Sequence, residues 1–366
     1  MVSRKALLQL PDPDQTVVRC FPLEEAASIH GHRLPLRETV PEAAYPSHYP
    51  RGSLSHLVHP TPPRLCASPM VARQTPSPSS FMNPDPALLQ KLSGLEGYLS
   101  SKIRGQGHVI PRVCSVLERG ELGLQPPDKP LGSFLFLGPT GVGKTELTLE
   151  CSRYLFGEGT LHRFDMSEFQ HLDSVKLFLG DETGMPRSPG RFGKVLESHS
   201  RGILLFDEVE KAHRLIWDLF LQMLDAARIT LADHRTHDLS GFYVVCTSNI
   251  GSHQLMRPTR LPFATLERAV LAELHRHFRP ELIGRFDEKI VFRPLTPETQ
   301  REIALIVIGE EVERYQKMGI DLTVDKETVE MLIRKGITKA LGARPMKRTV
   351  QKFLGDLVRE RMKKIG

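Results

Sequence analysis

The 366-residue sequence contains no apolar run that approaches the roughly 18 residues needed for a membrane-spanning helix. Its first residues, MVSRKALLQL, are followed at once by PDPDQ, so they lack the apolar core of a secretory signal. No CxxC pair occurs, which excludes a disulfide framework or a zinc site and favours buried, reduced thiols. The five scattered cysteines are Cys20, Cys66, Cys114, Cys151 and Cys246. These absences predict a cytoplasmic protein without a membrane segment.

Residues 1–86 differ in composition from the rest of the chain. They hold roughly half of the 28 prolines, in clusters such as HPTPPR and QTPSPSSFMNPDP. No sustained helical or strand periodicity occurs there, so we predict a disordered, proline-rich leader that buries little apolar surface. Its arginines and serines suggest an organelle transit peptide, but its acidic residues argue against one, because transit peptides are poor in acids.

From Pro86 onward the chain alternates between short apolar runs and segments of helical periodicity. We interpret SFLFLG, LHRFDM, GILLFD, FYVVCTS and EKIVFRPL as buried parallel strands, because strands covered by helices on both faces are almost continuously apolar. Segments such as TELTLECSRYLF and IWDLFLQMLDAA between them predict helices. The pattern predicts a doubly wound α/β domain over residues 87–290, followed by a small, mainly helical domain over residues 291–366.

The segment GPTGVGKT fits the phosphate-binding loop pattern G-x-x-x-x-G-K-[ST] and follows the apolar strand FLFL. Its glycines allow backbone N–H groups to converge on phosphates, and the following helix adds the positive end of its dipole. Lys144 would neutralise the β- and γ-phosphates of ATP, and the Thr145 hydroxyl would hold Mg²⁺. The predicted ATP-binding residues of this loop are Gly138, Pro139, Thr140, Gly141, Val142, Gly143, Lys144 and Thr145.

Polar residues follow two of the other predicted strands. Asp207 and Glu208 come directly after the run ILLF, at the end of a parallel strand, where open α/β sheets bind ligands. We expect Asp207 to hold Mg²⁺, and Glu208 to orient and deprotonate the attacking water. Asn249 follows FYVVCTS, where its amide could hold that water, although asparagine is also a common turn former.

Six motifs in family order resemble the second ATPase module of Clp-type AAA+ proteins, most closely that of the ClpB disaggregases. They are GPTGVGKTEL, FDMSEF, FDEVEKAH, TSNIGS, FRPELIGRFDE and GARPMKR. The resemblance implies an AAA+ ATPase that forms a homo-oligomeric, hexameric ring and acts on a protein client or adaptor. It also implies that Arg285 is an arginine finger for the neighbouring subunit's nucleotide, and that Arg344 is a sensor of the γ-phosphate. Arg235 matches a further arginine of the family, to which we assign no role.

Three stretches depart from the family. The segment GDETGMPRSPG lacks the aromatic residue with which threading relatives grip a polypeptide, and Pro186 and Pro189 stiffen it, although Met185 offers a softer contact. The linker after TSNIGS lacks the tripeptide that docks on a ClpP-type peptidase, which disfavours that partner. Arg104, in RGQGHVI, replaces an aliphatic residue of the segment that packs on adenine.

Three functions follow from these patterns. The first is an ATP-hydrolysing remodeller of proteins. The second is a nucleotide-gated assembly switch, favoured by the missing aromatic and by the leader as a docking arm. The third is a DNA-acting motor, suggested by the net charge of +6. Nucleic acid is not the expected partner, because the charge clusters on a tail helix whose apolar spacing predicts an amphipathic helix with a solvated basic face.

Overall fold

The fold is built around a five-stranded parallel sheet. The computed structural model describes residues 85–181, 188–257, 259–320, 322–336 and 344–365, which belong to one compact unit. In the sheet the strands have the order β2-β3-β6-β1-β7, and all neighbouring strands are parallel. In chain order the strands are β1 (Gly132–Leu137), β2 (Leu161–Asp165), β3 (Gly202–Asp207), β4 (Arg228–Thr230), β5 (Thr236–Asp238), β6 (Phe242–Ser248) and β7 (Glu288–Val291).

Helices cover both faces of this sheet, as the sequence predicts. In β1, Phe134 and Phe136 face a core shared with the first four helices, whereas Leu135 and Leu137 face a core shared with later helices. In chain order the helices are α1 (Pro86–Ser93), α2 (Leu95–Lys102), α3 (Ile110–Glu121), α4 (Lys144–Phe156), α5 (Leu172–Leu179), α6 (Gly190–Ser198), α7 (Arg214–Ala226), α8 (Ser252–Met256), α9 (Phe263–His277), α10 (Pro280–Gly284), α11 (Pro297–Lys317), α12 (Lys326–Gly336) and α13 (Arg344–Ile365). Two buried faces explain why the central strands β1, β3 and β6 are buried at every residue.

The three last helices pack around a hydrophobic core of their own. Ala304 of α11, Leu332 of α12 and Val350 and Leu354 of α13 are almost completely buried in it. The basic residues Arg348, Lys352 and Arg359 of α13 are exposed, so the predicted amphipathic tail helix is confirmed. The chain passes from the sheet to these helices between β7 and α11. The division at residues 290 and 291 remains our proposal.

Some features differ from the sequence prediction or extend it. The helical pattern over LLQKLSGLEGYLSSKI forms two helices, α1 and α2, with Gly94 between them. The antiparallel pair β4 and β5 and the short helices α8 and α10 were not predicted. Cys114, Cys151 and Cys246 are buried free thiols, as expected, whereas Cys20 and Cys66 lie outside the described residues. Among the described residues, no helix is long and apolar enough to cross a membrane.

The two ends of the segment between α5 and α6 lie close together. Asp181 and Ser188 form an antiparallel bridge, and a Cβ placed on Gly180 would lie 1.9 Å from the carbonyl oxygen of Ser188. A larger residue at Gly180 would therefore separate the two ends of this segment. Met185 and Pro186, named above, lie outside the described residues, as does the leader through residue 84.

Phe206 of β3 generates a stability prediction, because its ring lies within 4.9–6.4 Å of four other aromatic rings, measured between centroids. We expect Phe206→Ala to lower the free energy of unfolding by about 3–5 kcal/mol, since it removes a fully buried ring and leaves a cavity. Urea denaturation followed by circular dichroism measures the change. Leu305→Ala, at an exposed position of α11, is the control and should change it by less than about 0.5 kcal/mol. Equal effects of the two substitutions would contradict the assigned core.

Candidate functional site

A cavity of about 360 Å³ lies where the carboxyl ends of the strands meet the C-terminal helices. It is lined by the loop before α4, the end of β3, the residue after β6, and parts of α11 and α13. The predicted site residues that line it are Thr140, Gly141, Val142, Gly143, Lys144, Thr145, Asp207, Glu208, Asn249 and Arg344. Gly138, Pro139 and Arg285 are not among the described residues that line it. The structure therefore brings together most, but not all, of the predicted set.

The loop between β1 and α4 has the backbone of an anion cradle. Gly138, Gly141 and Gly143 have φ values of 137°, 78° and 105°, a backbone region that residues other than glycine rarely adopt. Gly143 precedes α4 and provides no side-chain cap, so the first N–H groups of α4 have no capping partner from that residue. Free N–H groups at a helix N-terminus, together with the helix dipole, attract phosphate. The loop is thus shaped for a phosphorylated ligand.

Lys144 places a buried cation at this cradle. Its ammonium donates to the carbonyl oxygens of Gly138 and Pro139 and, at 3.0 Å, to Oδ1 of Asn249. Burial lowers the pKa of Lys144 to about 8, although the charges of Glu210, Asp207 and Glu208 oppose that shift. Among the described residues, no carboxylate is in direct contact with the ammonium, so it can accept an anion without first losing an ion pair to one of them.

The carboxylate of Asp207 lies close to the hydroxyl of Thr145 beside the phosphate-binding loop. The Thr145 hydroxyl lies 3.3 Å from Oδ1 of Asp207, and the Thr247 hydroxyl donates to the same oxygen at 2.5 Å. The guanidinium of Arg163 pairs with Oδ2 of Asp207 at 2.6 Å. A hydroxyl and a carboxylate are hard oxygen donors, which suit Mg²⁺, an ion that is usually bound by one or two carboxylates together with substrate phosphates. The residues present therefore fit the predicted metal.

Glu208 lies in a strained backbone conformation at the rim of the cavity. Its φ and ψ are 57° and 50°, a left-handed region that costs a non-glycine residue on the order of 1–3 kcal/mol. The Glu208 N–H donates to the Thr247 hydroxyl at 3.1 Å, and its carboxylate pairs with Lys211 at 2.5 Å. This geometry points the carboxylate of Glu208 away from the direction of β3 and toward Asn249.

Asn249 joins the carboxylate to the phosphate loop. Its Nδ2 donates to Oε1 of Glu208 at 3.1 Å, and its Oδ1 accepts from Lys144 at 3.0 Å and from the Thr140 hydroxyl at 3.4 Å. One amide therefore contacts three residues of the predicted site. The arrangement can hold a water molecule between a carboxylate and a bound phosphate, because an amide offers both a donor and an acceptor.

Part of the cavity lining is apolar. It consists of Ile103 and Leu295 together with Ile303, Ile306 and Val307 of α11. An apolar slot next to a phosphate cradle suits a flat nucleobase. The cavity is also lined by the basic residues Lys102, Arg104, Arg344 and Lys347. Arg104, the departure noted above, donates to the carbonyl oxygen of Ser100 at 2.9 Å.

Arg285 lies elsewhere in its own chain. Its guanidinium pairs with Asp225 at the end of α7, and its buried Nε has no hydrogen-bond partner in the part of the chain that the structure describes. Arg235 lies beside β5, where it pairs with Glu197 at 2.9 Å. Neither arginine contacts the cavity of this chain.

Sequence reasoning missed several polar residues that complete the site. Arg163 and Thr247 contact Asp207, Lys211 contacts Glu208, and Glu210 contacts the backbone of Asn249. Thr247 lies near the carboxyl end of β6 and Arg163 lies in the middle of β2, the two strands that neighbour β3. A polar residue near the end of a buried strand was the signal that could have revealed Thr247, whereas no local pattern pointed to Arg163.

Comparisons with known proteins agree with this geometry. Residues 129–289 match the AAA domain (Cdc48 subfamily), and residues 295–364 match the C-terminal, D2-small domain of ClpB protein. The sequence is 40% identical over 277 residues to the chaperone protein ClpB of Aquifex aeolicus (strain VF5). It is 36% identical over 286 residues to the ATP-dependent Clp protease ATP-binding subunit ClpA homolog of Cyanidium caldarium. These matches cover 73% and 74% of this chain but 28% and 34% of the relatives, so the chain spans about a third of their length.

Solved structures give the same result. The S. cerevisiae Hsp104:casein complex in its extended conformation matches with a TM-score of 0.69 and 32% identity, over 80% of this chain and 51% of the other. Hsp104 in a closed state with ATPyS and FITC casein matches with a TM-score of 0.68 and 32% identity, over 77% and 50% of the two chains. Each match covers more than three quarters of this chain.

The lowered pKa of Lys144 predicts how the affinity for ATP depends on pH. Lys144 loses its proton as the pH rises through about 8, and above that value ATP must bind together with a proton. We therefore expect a nearly constant affinity between about pH 7 and 7.5, where the terminal phosphate is already ionised, and a decrease approaching tenfold per pH unit above about pH 8. Isothermal titration calorimetry at each pH measures the affinity for ATP. Lys144→Arg is the matched control, because arginine stays charged, and its affinity should remain flat. A parallel decrease in both proteins would contradict the assignment.

Proposed function

We propose that this chain, which belongs to the Clp-type AAA+ ATPases and is similar to the C-terminal ATPase module of ClpB and ClpA, binds ATP with Mg²⁺ and hydrolyses it. The observation that carries this proposal is the meeting of Lys144, Thr145, Asp207, Glu208 and Asn249 in one cavity at the edge of the sheet. This set provides a phosphate cradle, oxygen ligands for a cation and a carboxylate next to an amide, which together are what phosphoryl transfer requires.

Each of these residues has a proposed role in binding. The backbone of residues 138–145 cradles the phosphates, and Lys144 exchanges its carbonyl partners for the β- and γ-phosphate oxygens. Thr145 and Asp207 would hold Mg²⁺, which supplies positive charge beside the phosphate oxygens. Arg344, at the N-terminus of α13, contacts the γ-phosphate from the side of the small domain. The apolar slot formed by α11 and Ile103 encloses the base.

Hydrolysis requires a positioned water molecule and a group that accepts its proton. We assign the second role to Glu208, whose carboxylate lies at the cavity rim. Asn249 contacts both Glu208 and Lys144, so its amide can orient the water between the base and the γ-phosphate. Positioning of this kind contributes most of the rate enhancement in phosphoryl transfer, because the protein itself forms no covalent bond to the phosphate.

The place of Arg285 supports a homo-oligomer. A cation that offsets charge on the γ-phosphate must reach it, yet Arg285 does not contact the cavity of its own chain and pairs with Asp225 instead. We propose that Arg285 acts on the nucleotide of the adjacent subunit. A repeated head-to-tail contact of this kind closes into a ring, and the family resemblance favours six subunits.

We propose that the client is a protein. Two observations support this: the bacterial relative is named a chaperone, and the solved Hsp104 structures were determined with casein, which is itself a protein. We propose the cytoplasm as the compartment. We propose neither a ClpP-type peptidase nor nucleic acid as a partner.

A second candidate is an assembly switch that threads no polypeptide, because the segment between Gly180 and Gly190 contains no aromatic residue. ATP turnover that is stimulated by a folded model substrate, together with unfolding of that substrate, would favour the remodeller. ATP-dependent assembly without stimulation would favour the switch.

Glu208→Gln tests the proposed base. The amide preserves the size of the side chain but accepts a proton poorly, so we expect turnover to fall at least about 100-fold while the affinity for ATP stays within about threefold. Phosphate release and equilibrium nucleotide binding measure the two effects. Glu313→Gln, at an exposed position of α11, is the control and should resemble the unmodified protein. Normal turnover by Glu208→Gln would refute its role.

Arg285→Ala tests whether the finger acts across an interface. This variant should lose on the order of 10³-fold in turnover and keep its affinity for ATP, because the arginine stabilises the transition state rather than the bound nucleotide. Lys144→Ala should be inactive because it binds ATP poorly. In a mixture of the two, an intact cradle can lie beside an intact finger, so part of the activity should return.

The matched control for this mixture is Arg285→Ala combined with a protein that carries both substitutions. That combination contains no intact finger, so its activity should not return. If neither mixture recovers activity although both form mixed oligomers, Arg285 does not act in trans.

A further inference from the structure

Glu210 lies beside the catalytic cluster without lining the cavity. It belongs to a single 3₁₀ turn, Val209–Lys211, which follows directly after Glu208. Because Glu208 has a left-handed backbone and this turn follows it, the carboxylates of Glu208 and Glu210 contact different parts of Asn249. Glu208 accepts from the side-chain amide of Asn249 at 3.1 Å, and Glu210 accepts from its backbone N–H at 3.0 Å.

The contact from Glu210 fixes a residue that has no regular secondary structure to support it. Asn249 follows the last residue of β6, so the ladder of the sheet no longer holds its N–H. On the other side, the Asn249 carbonyl accepts from the Ser252 N–H at 3.1 Å. The carboxylate of Glu210 therefore determines where the Asn249 amide lies relative to Lys144 and Glu208.

The rest of the Glu210 carboxylate is not accounted for by stability. Its Oε2 is buried and has no hydrogen-bond partner among the described residues. A buried carboxylate oxygen without a partner lowers the stability of a fold, because it has lost its contact with water.

We propose that Glu210 is a positioning residue for ATP hydrolysis, which holds Asn249 in place through the backbone N–H of that residue. This inference rests on the proposed function, because it assigns Glu210 to the same reaction. Its proposed effect falls on the hydrolytic step, since Glu210 is not among the described residues that line the cavity, and its influence on ATP binding is limited to the negative charge that it places near Lys144.

Two variants of equal size separate the hydrogen bond from the volume of the side chain. Glu210→Gln keeps an oxygen that can accept from the Asn249 N–H, whereas Glu210→Met keeps the volume and removes the acceptor. We expect Glu210→Met to lose on the order of 10- to 100-fold in kcat relative to Glu210→Gln, the cost of a small misplacement in an active site, while the two variants keep equal affinities for ATP because both remove the charge of Glu210. Glu210→Gln should restore kcat to within about threefold of the unmodified protein.

A double-substitution cycle shows whether Glu210 acts through Asn249. Asn249→Ala removes the amide that Glu210 holds, so adding Glu210→Met to it should reduce kcat no further. Fully additive losses would overturn the proposal, and so would a Glu210→Met variant with normal kcat or a Glu210→Gln variant as impaired as Glu210→Met.

A measurement without turnover separates this inference from the proposed function. Hydrogen exchange of the Asn249 backbone N–H, in the nucleotide-free protein, should be faster in Glu210→Met than in Glu210→Gln or the unmodified protein. Thermal melting of all three checks that the fold is intact. If the unmodified protein does not hydrolyse ATP, the proposed function fails, and this exchange pattern still decides whether Glu210 holds Asn249. Equal exchange in all three proteins would overturn the inference.

Discussion

The buried ammonium of Lys144 is the interaction on which the rest of the site depends. A cation removed from water is tolerated only where oxygen atoms surround it, and here these are two loop carbonyls and the amide of Asn249. The positive-φ glycines bring the carbonyls around the ammonium, and the burial of Lys144 lowers its pKa toward the neutral range. A bound phosphate would exchange with these oxygen atoms and pair the ammonium with a negative charge.

Three other charged residues that we assign to the reaction are paired within the chain. Asp207 is held by Arg163, Glu208 by Lys211, and Arg285 by Asp225. The Glu208–Lys211 and Arg285–Asp225 pairs are partly exposed, so each contributes little to stability and can exchange partners at small cost, whereas Asp207 is buried beside Arg163. The same pairs must open before the proposed chemistry can begin.

The parts of the fold that the sequence predicted are those set by burial. The apolar runs of β1, β3 and β6 have one physical explanation, two covered faces, and the loop pattern at Lys144 can adopt few backbone conformations. The ends of those strands predicted where Asp207, Glu208 and Asn249 would meet. The partners of these residues were not predictable in the same way. Arg163 and Glu210 reach the site through strand register and through a single turn, which depend on tertiary packing rather than on local pattern. Membership of the Clp-type AAA+ family explains why so much of the site was recognisable from motifs.

The geometry of α13 has a mechanical consequence. The helix begins at Arg344 on the cavity wall and runs for 22 residues, about 33 Å at the usual rise per residue. It is therefore a long arm with one end at the nucleotide. A tilt of about 10° at the cavity would move its far end by roughly 6 Å, a distance larger than one helical turn. Occupancy of a pocket a few ångströms wide would in this way become a displacement that a neighbouring molecule can detect.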